Sequence, residues 1–159
     1  MQDKERRIIE ILEKELELYN MLESLVNEQE KRIEESDIEG LLRVISRKQT
    51  IISEQDKLNE ELEEVQSGLS GVVERSQDRA RLLDFLSKDI REKVEEILDL
   101  IKGKVLRILE VENRSREKLS LEIEKVKEAL KGLREGKRAI AEYYNSSKVQ
   151  EPRFIDQRK

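Results

Sequence analysis

The chain has 159 residues, 32 basic and 37 acidic, so 43% of it is charged while aromatics make up only 3%. With one proline and no tryptophan it cannot build a wide globular core; long helices that bury a narrow seam are what such a composition supports. The lack of histidine and cysteine removes the commonest catalytic base, the commonest metal ligand, disulfides and thiolate metal sites.

The first helix is expected over about residues 3–35. Leu12, Tyr19, Val26 and Ile33 recur every seven residues, flanked by Ile8, Leu16 and Leu22, which is a coiled-coil type of seam. Leu18 and Leu25 widen it, so this helix is expected to face two neighbours. Ser36 to Glu39 has the form of a capping box, and Asp37 is an equally good cap. Either one predicts a tight turn and an antiparallel second helix over 37–66. That helix carries Leu41, Leu42, Ile45, Ile52, Leu58, Leu62 and Val65, interrupted by Lys48, Gln55 and Asn59. Polar residues at seam positions fix register at some cost in stability.

Gln66-Ser67-Gly68-Leu69-Ser70-Gly71 is a breaker cluster, and residues 72–87 read as a short helical connection. A long helix follows over 89–142. Its apolar residues run from Ile90, Val94, Ile97, Ile101, Val105 and Ile108 to Leu119, Ile123, Val126, Leu130, Leu133 and Ile140. Steps of three, four and seven, with one of eleven, put them along one side of a helix. Such a helix is about 80 Å long, and each of the first two roughly 45 Å. Roughly 30 Å of stripe, around Leu119 to Ile140, is left without cover by this arithmetic. Three outcomes are open: the helix folds back, it pairs in a homodimer, or it docks another protein. From Tyr143 the helical pattern fails, and Asn145-Ser146-Ser147 and Pro152 predict a flexible, disordered tail over 143–159.

The fold class expected is therefore all-α: an elongated antiparallel bundle, a helical hairpin packed on one long helix, forming a single domain over 1–142. Residues 1–66 carry 10 basic and 19 acidic side chains, a net of −9, and residues 102–142 carry 12 and 8, a net of +4. The basic residues alternate with glutamates and no aromatic is interleaved for stacking, so nucleic acid is not an expected partner. No apolar run approaches the length of a membrane span and none resembles a signal peptide, so a cytoplasmic protein without membrane insertion is expected. Nothing predicts a catalytic residue, a metal site or a cofactor, and the reading is a protein that binds another protein.

Several stretches resemble one family in order. Leu12-Glu13-Lys14-Glu15-Leu16-Glu17-Leu18-Tyr19 resembles the first helix of the FlgN family of flagellar type III export chaperones, and Asp37-Ile38-Glu39-Gly40-Leu41-Leu42 through Arg47-Lys48-Gln49 resembles its second. Glu112-Asn113 is similar to the family's Asn-centred segment before an aliphatic run, and Tyr143-Tyr144 with Phe154-Ile155-Asp156 is similar to its C-terminal end. The resemblance implies a chaperone that binds the helical C-terminal segments of flagellar hook-associated proteins of the FlgK/FlgL type and delivers them to the export gate protein FlhA. It places client contact on Leu119, Ile123, Val126, Leu130, Leu133 and Ile140, and gate docking on Tyr143 or Tyr144. The alternative is a dimeric coiled-coil scaffold or spacer.

Overall fold

A computed structural model describes residues 2–70 and 83–150 of the protein. Three helices account for nearly all of them: α1 over Gln2–Glu34, α2 over Ile38–Ser70 and α3 over Lys88–Gln150. The chain divides into two compact units, Met1–Arg116 and Glu117–Lys159.

In the first unit α1 packs with both α2 and the first part of α3. One apolar cluster joins Ile8, Ile11 and Leu12 of α1 to Leu62 of α2 and to Val94, Ile97 and Ile101 of α3. A second joins Leu18, Leu22, Leu25 and Val26 to Val44 and Ile51 of α2 and to Ile108 and Val111 of α3. The double width of the α1 stripe is what allows one helix to face two neighbours, as expected.

The buried face of α2 differs from the expected one. Val44, Ile51 and Leu62 are buried, whereas Leu42, Ile45 and Ile52 are exposed. Two apolar sets interleave on this helix, and the set in phase with Lys48 and Gln55 faces inward. Lys48 lies between Val44 and Ile51, one turn from each, and joins all three helices. Its ammonium donates to Gln29 Oε1 of α1 at 2.9 Å and pairs with Glu112 of α3, to which Gln29 Nε2 also donates at 3.2 Å. A buried Gln29 and a mostly buried Lys48 are thus satisfied only when the three helices are in this register.

The turn between α1 and α2 is built from both ends. Ser36 has φ of 55°, and it donates its N–H to Ile33 O at 3.1 Å while Asp37 donates to Arg32 O at 2.9 Å. That pair of bonds is the Schellman ending, which satisfies carbonyls the helix leaves open. Asp37 rather than Ser36 caps α2, accepting from the Gly40 N–H at 3.0 Å. Arg32 reaches across to Asp37 at 2.8 Å. Gly40 makes room for this: a Cβ there would lie 2.8 Å from both Arg32 Cδ and Asp37 Cγ. The helix-propensity cost of this glycine therefore has a local return.

Of the expected connection over 72–87, residues 72–82 lie outside the described part. Leu86 is buried after a turn, and its N–H donates to Leu83 O at 3.3 Å. Glu5 of α1 then holds the start of α3, its carboxylate accepting from Ser87 N–H at 3.0 Å and from Ser87 Oγ at 3.2 Å. A carboxylate at that position also opposes the positive end of the helix dipole.

Helix α3 continues through Gly103 without a break and runs past the expected end at Glu142. Tyr143, Tyr144 and the Asn145-Ser146-Ser147 segment are helical, which corrects the expectation that a flexible tail begins at Tyr143. Asn and Ser are only mildly unfavourable inside a helix, and the first proline after them is Pro152. The remainder of the expected tail, from residue 151, lies outside the described residues. No helix among the described residues is long and apolar enough to cross a membrane.

Candidate docking face

The second unit contains α3 from Glu117 onward. Leu119, Ile123, Val126, Leu130, Leu133 and Ile140 step by four, three, four, three and seven, so they share one side of the helix. All six are exposed, from 40% at Leu119 to 71% at Leu133. Residues 123–146 are all exposed. Contiguous apolar surface of this extent on a folded chain makes this side of the helix the candidate interaction site.

The two tyrosines differ in placement. Tyr144 follows Ile140 by four and falls on the stripe, whereas Tyr143 is one residue, or about 100°, off it. Tyr143 is 74% exposed and Tyr144 57%. Both were expected in a tail; both are instead on the helix, on different sides of it.

The stripe has two unlike edges, which the sequence reading did not single out. On one side Lys127, Lys131, Arg134 and Arg138 step by four, three and four. Lys127 makes a loose pair with Glu124 at 3.6 Å. Among the described residues no carboxylate lies within 4.0 Å of Lys131, Arg134 or Arg138. On the other side Ala129, Gly132, Gly136 and Ala139 step by three, four and three, and a Cβ added at either glycine meets nothing within 4 Å. The basic row was legible as spacing, but its lack of partners needed coordinates.

Basic residues of α3 in the first unit behave differently. Lys104 pairs with Glu23 of α1 at 2.9 Å, and Arg114 pairs with Glu30 at 3.0 Å. The Lys104 hydrogen bond, with Arg107 nearby, holds the Glu23 carboxyl below the usual range. The Glu30 hydrogen bond raises Arg114.

Elsewhere in the first unit, two shallow grooves among the described residues lie between α1 and α2. One, of about 520 Å³, is bordered by Met21, Leu25, Arg47 and Ile51, and the other, of about 400 Å³, by Lys14, Glu17, Lys57 and Glu61. No group of three or more acidic side chains among the described residues is arranged to hold a metal ion.

Comparison with curated proteins gives no match, and comparison with solved structures gives none. A family model described as FlgN protein matches residues 1–152. That match spans all three helices and the exposed stripe, and the chain belongs to the FlgN family of flagellar export chaperones.

Proposed function

We propose that this protein binds the helical C-terminal segments of hook-filament junction proteins of the FlgK/FlgL type in the cytoplasm and carries them to the flagellar export gate. The FlgN family is a chaperone family rather than an enzymatic one, and its partners are flagellar proteins. The observation that carries the reading is the exposure of all six apolar residues from Leu119 to Ile140 along one side of a helix. An amphipathic client helix laid on that stripe covers it in the helix-in-groove manner. A stripe on a single helix, without walls, gives a shallow seat, which suits a client that must later be released. Tyr144, on the stripe, is then covered together with the client's end, and Tyr143, off it, stays available to the gate.

The test is calorimetric titration of the full chain with the C-terminal segment of the FlgK-type protein of the same organism. Changing Ile123 and Leu130 together to Asp abolishes binding while the far-ultraviolet circular dichroism and the unfolding midpoint of the first unit stay unchanged. Unchanged binding in the double variant contradicts the assignment. A stable homodimer at low micromolar concentration that excludes the client supports the coiled-coil spacer instead.

A further inference from the structure

The exposed stripe is asymmetric, and its asymmetry says what kind of helix covers it. Lys127, Lys131, Arg134 and Arg138 line one edge over three turns. The glutamates nearest in sequence, Glu128 and Glu135, are within one turn of them, yet among the described residues Lys131, Arg134 and Arg138 make no ion pair. The opposite edge has no charge at Ala129, Gly132, Gly136 and Ala139 and offers backbone at close range.

We infer that the occupant of this face is an amphipathic helix whose apolar seam is bordered along one edge by Asp or Glu, facing Lys127, Lys131, Arg134 and Arg138. The inference rests on the client-binding reading above and specifies the chemistry of the client. Carboxylates at spacings of three, four and seven match the cations, as Glu23 and Glu30, seven apart on α1, already match Lys104 and Arg114. The Gly and Ala edge admits larger side chains from the occupant's other border, so the two borders are not interchangeable and the occupant has one direction.

A second copy of the chain fits this face poorly. With Ile123, Leu130, Lys137 and Tyr144 as one seam position and Leu119, Val126, Leu133 and Ile140 as the other, a parallel pair sets Lys137 against its own copy. It brings only Glu122 toward Lys127, leaving Arg134 opposite Ala129. An antiparallel pair sets basic edge against basic edge. Neither arrangement neutralises the row.

Three synthetic peptides of identical leucine seam test this, with one border of Glu, of Gln or of Lys and the other border of Ala. They are titrated into the full chain, into a K131E/R134E/R138E variant and into the Ile123 and Leu130 double Asp variant. The Glu-bordered peptide is expected to bind roughly tenfold more tightly than the Gln-bordered one, an advantage that shrinks as salt rises past the range where surface charges are screened. In the charge-reversed variant the order inverts, and the Lys-bordered peptide binds best. Equal binding of all three peptides, or no binding of any, overturns the acidic-border inference. So does a result in which charge reversal removes binding to vesicles containing phosphatidylserine but leaves the peptide order unchanged. The FlgK-type C-terminal segment is run alongside: if it binds in an Ile123-dependent way while the peptides show no preference, the border inference fails and the client reading stands. If it ignores both sets of substitutions, the client reading fails as well.

Discussion

Along α3, Val94, Ile97, Ile101, Ile108 and Val111 are buried, whereas Leu119, Ile123, Val126, Leu130, Leu133 and Ile140 are exposed. Both sets are aliphatic and step by three, four and seven. The polar borders differ in the same way, with Lys104 and Arg114 paired to α1 carboxylates and Lys131, Arg134 and Arg138 unpaired among the described residues. One stretch is a bundle seam already filled, and the other is a stripe of similar spacing that is exposed. An apolar stripe is thus a statement about what a helix can bury, and only the neighbouring elements decide whether it has done so.

The sharpest contrast comes from one substitution made in both stretches. Ile101→Ala, at a position 5% exposed, is expected to cost about 2–5 kcal/mol of unfolding free energy. Ile123→Ala, at 48% exposed, is expected to change it by less than about 0.5 kcal/mol. Urea denaturation followed by circular dichroism measures both, and equal losses would erase the distinction between the two stretches. A client segment should then reverse the ranking in a binding titration, with Ile123→Ala the more harmful.

The polar contacts give the next largest effect. Lys48→Ala leaves Gln29 and Glu112 without their cation and is expected to destabilise by about 1–3 kcal/mol. Lys131→Ala, at an unpaired position, stays within about 0.5 kcal/mol. A Lys48→Ala protein as stable as the parent would mean that the three-helix polar junction does not set register.

At the α1–α2 turn, Ser36→Gly relieves a left-handed backbone in a residue with a Cβ and is expected to stabilise by about 1 kcal/mol. A loss of stability there would contradict the Schellman ending. The smallest effect is in pH. The Gly40 N–H, with Arg32 beside it, lowers Asp37, and the Lys104 hydrogen bond lowers Glu23. Carboxyls lowered on folding add stability that is present above their unfolded pKa and lost as pH falls through the folded value. Thermal midpoints are therefore expected to fall as the solution is taken below about pH 4, and less so in an Asp37→Asn, Glu23→Gln protein.

Much of this architecture was readable from spacing. Seven-residue repeats at Leu12, Tyr19 and Val26 gave α1, its broad stripe gave two neighbours, and Ser36-Asp37 gave the tight turn. The inward face of α2 was not readable, because Val44 and Ile51 interleave with Leu42, Ile45 and Ile52 and both sets have helical spacing. Lys48 was recognised as a seam residue, yet its partners Gln29 and Glu112 lie far away in sequence. The end of α3 was placed too early because Asn145-Ser146-Ser147 is a loop signal only where no helix is already propagating through it. On the candidate docking face, the exposure of the six apolar positions was legible as a surplus of stripe over available helix. The basic row was present in the same sequence but looked like a solvated face, since alternating Glu residues promise local pairing that Lys131, Arg134 and Arg138 do not make.

Backbone amide hydrogen exchange of the full chain, with and without the C-terminal segment of the FlgK-type protein, tests the central claim most directly. Protection confined to residues 119–144 on adding the segment, with the α1 and α2 amides unchanged, is the result this account predicts. Protection that appears along α1 or α2 while 119–144 exchanges as before would contradict it.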